Sequence, residues 1–230
     1  MDFRTLMLYA HIAAGVVSLI TMVIAYTTKK GPKAHAKVGR IYGYGMVGVG
    51  LTAVALFFMG ASTFLLLIAF FSTYLVLVGW RFASNRKGAV TGIDTALMQF
   101  GFLGGIALLA FGAYIFTAGT PPFGMSKSFE IAPIVFGVIS IALATQQYIL
   151  NRDGNSARGK KRISLHVTYM GAGTISTVTA FTITIFDHSV FTWLGATAIG
   201  TPLLIWNQMG VSKGKIASSV TSENEEPTKN

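Results

Sequence analysis

The sequence contains no cysteine, and this absence excludes disulfides, thiolate metal sites and cysteine nucleophiles together. Carboxylates are scarce as well, because Asp and Glu number only eight in 230 residues. There is no GxxxxGK[ST] phosphate loop, no HExxH zinc motif and no nucleophile elbow with a triad. Val190–Met209, the last apolar run, has no lysine that could bind retinal. Histidine and hydroxyl groups remain as the main candidates for chemistry, and no enzyme class is indicated.

Charge is also low for a soluble domain. Only 11% of the residues are charged, against roughly 25% in soluble domains, whereas 52% are hydrophobic. This balance predicts a protein whose solvent is the lipid bilayer. The net charge of +10 comes from residues in short loops between apolar runs, where basic side chains act as topology signals and contact anionic lipid head groups. We therefore expect lipid, and no nucleic acid, as the partner of these residues.

Seven apolar runs are long enough to cross a hydrocarbon core, which takes about 20 residues. They are Leu6–Thr27, Arg40–Gly60, Ser62–Phe82, Ile93–Thr117, Ile131–Leu150, Ile163–Phe186 and Val190–Met209. They predict an all-α, polytopic transmembrane helical bundle formed by residues 1–209. Residues 210–230 are polar and free of aromatic side chains beyond the last run, and predict a disordered cytoplasmic tail.

Basic residues follow the odd-numbered runs. They are Lys29, Lys30, Lys33, Lys37 and Arg40, then Arg81, Arg86 and Lys87, then Arg152, Arg158, Lys160, Lys161 and Arg162, and finally Lys213, Lys215 and Lys229. Because positive charge accumulates in cytoplasmic loops, this pattern predicts a multi-pass protein of the cell membrane with its N-terminus outside and its C-terminus in the cytoplasm.

Two basic segments, residues 29–44 and 151–173, each place a histidine near the start of a later apolar run. The two histidines, His35 and His166, occupy equivalent cytoplasmic ends of the second and sixth runs. We therefore expect them to face each other across one inner vestibule, closer to each other than to His11 near the outer face. Asp94 is expected either to favour its helix N-terminus or to pair with Arg40 or Arg162.

Short motifs resemble those of an uncharacterised family of bacterial and archaeal predicted membrane proteins, catalogued as a domain of unknown function. They are His11-x3-Gly15, His35-x3-Gly39-Arg40-x-Tyr42 and His166-x3-Met170. The family has a His-Arg-x-x-Gly-Arg-x-Tyr type motif early and a His-Arg-x-Trp-Met type motif late. The chain departs from it with Ala36 and Val167 where the family favours Arg, and with Thr168–Tyr169 where it has Trp. The resemblance implies a multi-span membrane protein and supplies no activity.

One hypothesis makes the histidines ligands of b-type haem, or of another transition metal, in an electron-transfer component. A one-haem version uses His35 with His166, and a two-haem version adds His11 with His188. Residues Arg40, Tyr42 and Arg162 would then steady the haem propionates at the inner face. Without haem, the metal ligands would be His35 and His166.

Two alternatives stay open. The sixth run is rich in serine and threonine, and these hydroxyls could line a path for a small solute or a proton. Alternatively, the many faces of small residues fit an accessory subunit that packs against other spans in a larger membrane complex. Gly101 and Gly105, which form a GxxxG pair in the fourth run, are expected to serve helix packing.

Overall fold

The structure, a computed structural model, describes residues 2–118, 131–186 and 190–213, which form seven α-helices and no strand. The helices are α1 (Phe3–Thr27), α2 (Ala34–Phe58), α3 (Thr63–Ser84), α4 (Gly92–Ala118), α5 (Ile131–Asn151), α6 (Gly159–Ile185) and α7 (Val190–Ser212). The all-α fold class is confirmed. Five helices, α1 to α5, are long and apolar enough to cross a membrane.

The helices match the predicted runs closely, except at the start of α2. A helix beginning at the predicted Arg40 would leave His35 in the preceding loop. Helix α2 instead begins six residues earlier, at Ala34, so His35 lies in its first turn. The physical reason is that hydropathy locates the apolar part of a helix, whereas Ala34, Ala36 and Lys37 are good helix formers that carry it beyond that part. At the other end of the chain, α7 runs to Ser212, and most of the predicted tail lies outside the described residues.

Helix α3 is the centre of the bundle. Three antiparallel hairpins, α1–α2, α4–α5 and α6–α7, surround it, and α3 packs against α2, α4, α5 and α6. Its buried side chains face all of these neighbours, as the fully covered Phe64, Leu75, Val76 and Val78 show. The other helices keep broad apolar faces on the outside, which is the arrangement expected where lipid replaces water.

Glycines allow these helices to approach closely. On α4, Gly105 faces the Gly137 carbonyl of α5, and Gly112 faces Ile134 of the same helix. Gly101 faces the ring of Tyr74 on α3. The predicted packing role of this glycine face is therefore confirmed.

The described basic residues that follow α1, α3 and α5 gather at one end of the bundle, which we call the basic end. There the loop after α3 meets the loop after α5, since the Ser156 amide donates to the Gly88 carbonyl at 2.8 Å. Gly88 has φ +67°, and a Cβ there would lie 2.8 Å from Cγ of Arg158. Glycine is thus needed at this position both for its backbone conformation and for space.

An ion pair ties α3 to α4 at the basic end. The Arg81 guanidinium donates to both carboxylate oxygens of Asp94, at 2.8 and 2.7 Å. The same carboxylate accepts from the Thr91 amide at 2.8 Å, which caps the start of α4. Of the two expectations for Asp94, its position at the helix N-terminus is confirmed. The pairing with Arg40 or Arg162 is wrong, because the carboxylate binds Arg81 at the end of α3.

Substituting Gly79 by alanine is expected to destabilise the bundle by about 1–3 kcal/mol, the usual cost of overpacking. A Cβ at residue 79 would lie 2.8 Å from Cγ and 3.0 Å from the backbone nitrogen of Met170, so α3 and α6 would have to separate. The matched control is Gly104→Ala in α4, where a Cβ meets no atom within 4 Å and alanine favours the helix. Thermal denaturation in detergent measures both variants, and a Gly79→Ala protein as stable as Gly104→Ala would contradict this packing.

Candidate histidine site

Two histidine rings meet at the basic end. His35 comes from the first turn of α2, and His166 from the second turn of α6. Their ring centres are 6.3 Å apart, and the ring planes are nearly perpendicular, at 84°. The expected approach of these two histidines is thus observed, although they are separated by more than a hundred residues of sequence. We call them the histidine pair.

Each ring is oriented by a main-chain carbonyl. Nδ1 of His35 donates to the Ala25 carbonyl of α1 at 3.1 Å, and Nδ1 of His166 donates to the Gly79 carbonyl of α3 at 2.8 Å. Because a carbonyl oxygen can only accept, the hydrogen of each neutral ring is on Nδ1. The lone pair is then on Nε2 of both rings. This tautomer is the one that metal-binding histidines adopt when their other nitrogen is held by a carbonyl.

Two cations border the pair, and each is engaged with a helix end. Nζ of Lys30 donates to the Ala25 and Tyr26 carbonyls at 2.8 and 2.9 Å. Burial against α1 lowers the pKa of this ammonium group. The Arg162 guanidinium donates to the Phe82 and Ala83 carbonyls at 2.8 and 2.6 Å. Both side chains therefore cap helix C-termini, where positive charge is favourable.

No carboxylate in the described ranges contacts the pair. Of the described carboxylates, Asp2 caps α1 at the opposite end, Asp94 binds Arg81, and Asp153 lies exposed beside Arg152. The described residues contain no group of three or more His, Asp or Glu side chains that could hold a metal ion. Among the described residues, the imidazoles of His35 and His166 are thus the histidine ligands that this site offers.

Of the other residues predicted at the cytoplasmic site, Arg162 borders the pair, whereas Arg40 and Tyr42 lie apart from the histidine rings. Arg40 is exposed. Tyr42 is 3% exposed, lies two turns along α2 from His35, and packs with Met46 and Val76 in the bundle interior. Arg162 binds the carbonyls at the end of α3. The three residues predicted to contact haem propionates therefore do not lie together.

His11 belongs to a different part of the molecule. Its Nδ1 donates to Oγ1 of Thr52 at 2.8 Å, and that hydroxyl donates in turn to the Gly48 carbonyl at 2.7 Å. Ala25, beside the histidine pair, is about 21 Å away along α1 at 1.5 Å per residue. The hydrogen bond between His11 and Thr52 links α1 to α2, which accounts for a histidine at this position. His188, its predicted partner in a two-haem arrangement, lies outside the described residues.

Hydroxyl groups occupy the interior beyond the pair. Ser72 of α3 and Ser176 of α6 share a hydrogen bond at 2.7 Å, and Thr177 donates to the Gly173 carbonyl at 2.8 Å. The Tyr42 hydroxyl is buried and makes no hydrogen bond to the described residues. Elsewhere in α6, Thr168, Thr179 and Thr184 donate to carbonyls of their own helix, as helical hydroxyls commonly do.

No protein-family model, no curated protein and no solved structure matches this chain.

Proposed function

We propose that this membrane protein binds one transition-metal ion between Nε2 of His35 and Nε2 of His166 and uses it as an electron-transfer centre. The separation of the two rings carries this proposal. With a metal–nitrogen distance of about 2.0 Å and about 1.1 Å from that nitrogen to the ring centre, two imidazoles on opposite sides of one ion have centres about 6.2 Å apart. The observed distance is 6.3 Å.

Fixed orientation supports the same proposal. A ligand that must be turned toward its metal loses side-chain entropy on binding, whereas a ring already held by a carbonyl loses less. Both rings are held in this way, by bonds of 3.1 and 2.8 Å from Nδ1. The pair would thus bind metal with little rearrangement of its own side chains.

Haem iron is the second form that the proposed centre can take. Two axial imidazoles bind a haem from opposite faces, so their ring centres have nearly the same separation as for a free ion. A haem would also require a flat space between the rings, and α1, α2, α3 and α6 would have to open to provide it. A free ion needs no such opening and is our preferred form.

The proposed membrane setting follows the charge pattern. All seven helices would cross the cell membrane, with the N-terminus outside and the basic end on the cytoplasmic side, where lysine and arginine contact anionic head groups. The histidine pair would then exchange electrons with a cytoplasmic or membrane-bound partner. If the chain belongs to the uncharacterised family, the early and late histidine motifs of that family, here at His35 and His166, would both lie at this metal site.

The experiment is an absorption spectrum of the detergent-purified protein, oxidised and then reduced with dithionite, combined with elemental analysis for Fe, Cu and Zn after metal loading. We expect about one metal ion per chain and no sharp haem band. A sharp reduced α-band would assign haem in place of a free ion. A colourless protein that takes up no metal after loading would overturn the proposal.

A second candidate function is proton or small-solute passage. The observation that favours it is the buried Tyr42 hydroxyl in the bundle interior, which interacts with Thr174 and Thr177 among the hydroxyls of α6. Proton flux into liposomes containing the protein tests this function. Flux that persists in His35→Ala, a variant without the proposed metal ligand, would favour passage over electron transfer.

A further inference from the structure

The thioether of Met170 packs against the residue of α3 whose carbonyl accepts a hydrogen bond from His166. Met170 follows His166 by four residues, so both side chains lie on one face of α6. Both also meet the same residue of α3. His166 donates to the Gly79 carbonyl at 2.8 Å, and a Cβ at Gly79 would lie 3.0 Å from Sδ of Met170. The thioether and the imidazole therefore share one small area of α3.

Glycine at position 79 makes this arrangement possible. A side chain there would occupy the place of Sδ and Cγ of Met170, since both atoms lie within 3.0 Å of the position of a Cβ. Without a side chain, residue 79 leaves room for the thioether at the place on α3 where His166 is also bound. Met170 is half-buried and packs against the cluster of Tyr42, Met46 and Val76, which limits the positions that its sulfur can take.

From this geometry we propose that the ion is Cu(I) and that Met170 is its third ligand, an inference that rests on the proposed metal site. Thioethers are soft ligands that select Cu(I), whereas Mg, Ca and Mn prefer carboxylate and carbonyl oxygen. Zinc takes four tetrahedral ligands, and the pair provides only two nitrogens. Two imidazoles opposite each other with a weaker sulfur at the side suit a d10 ion of low coordination number.

The charges around the pair favour the same ion. Lys30 and Arg162 both carry positive charge nearby, and the described carboxylates lie elsewhere. Repulsion from these groups scales with the charge of the bound metal, so a monovalent ion costs half as much as a divalent one at the same distance. Cu(I) is the transition-metal ion that meets both the charge and the ligand set.

The test is an anaerobic Cu(I) titration of the full-length protein in detergent, in competition with bicinchoninate, together with the reduction potential of the bound copper. We expect Met170→Leu to weaken Cu(I) binding by about ten- to hundredfold while Cu(II) binding stays unchanged. For a one-electron couple, a tenfold loss in Cu(I) affinity alone lowers the potential by about 59 mV. Met209→Leu, on an exposed methionine of α7, should change neither quantity.

X-ray absorption at the copper edge of the wild-type protein provides a second measurement that needs no variant. We expect a sulfur scatterer together with two imidazoles. Copper bound by two imidazoles with no sulfur, or an unchanged potential in a folded Met170→Leu protein, would overturn the role of Met170 and leave the histidine site intact. A wild-type protein that binds no copper, zinc or iron would overturn both proposals.

Discussion

Replacing His166 by alanine is expected to reduce copper affinity by at least about a hundredfold, because it removes one of only two nitrogen ligands at the proposed centre. The remaining imidazole, His35, cannot hold an ion tightly without a second nitrogen, and no described carboxylate is near enough to replace it. Equilibrium titration with Cu(II), with free copper set by a chelator, measures the loss. His35→Ala should give the same result.

His11→Ala is the matched control. His11 is also a half-buried histidine at the contact of two helices, with its Nδ1 bound to Thr52, but it lies about 21 Å along α1 from the pair. We expect the His11→Ala protein to bind copper with the same affinity as the wild type. Equal losses in His11→Ala and His166→Ala would mean that copper binding reflects general structural damage and not the histidine pair.

Replacing Asp94 by alanine is expected to lower the free energy of unfolding by about 3 kcal/mol. This is the lower end of the range of about 3–5 kcal/mol found when one partner of a buried ion pair is removed. The Asp94 side chain is 3% exposed and that of Arg81 is 20% exposed, so the guanidinium would lose its two charge-assisted bonds where water reaches it poorly. The variant also loses the acceptor for the Thr91 amide at the start of α4. Denaturant titration of the detergent-solubilised protein measures the change.

Asp153→Ala is the corresponding surface variant. Asp153 and Arg152 are 3.8 Å apart, and both side chains are more than half exposed, so this pair should contribute between zero and about 1 kcal/mol. A loss of stability in Asp94→Ala no larger than that in Asp153→Ala would show that the Arg81 contact does not hold α3 and α4 together.

The helices could be predicted because hydropathy is a local property. Each apolar run became a helix with nearly the predicted ends, and the exception at Ala34 arose where helix propensity continued past the apolar stretch. Membrane crossing itself is supported by composition for α1 to α5. Helix α6 begins with Lys160, Lys161 and Arg162 and is rich in hydroxyls, which makes its apolar signal weaker than that of α3.

The approach of His35 and His166 could be predicted because each lies near the start of a helix that leaves the same end of the bundle. The carbonyl groups that accept their hydrogen bonds could not be predicted. The Gly79 carbonyl is 87 residues from His166 in the sequence, and its contact with the ring depends on how α3 packs against α6. The same holds for Arg162, whose place on the end of α3 is a tertiary contact. The His166-x3-Met170 spacing was the one local indication that the sulfur atom of Met170 lies on the same face of α6 as His166.

Pulsed electron paramagnetic resonance of Cu(II) bound to the full-length protein tests the central claim most directly, because modulation from remote imidazole nitrogens reveals the number of histidine ligands. Two coupled imidazoles in the wild type, one in His166→Ala and two in His11→Ala are the predicted result. Copper that couples to no imidazole, or to the same number in wild type and His166→Ala, would contradict a metal site formed by the histidine pair.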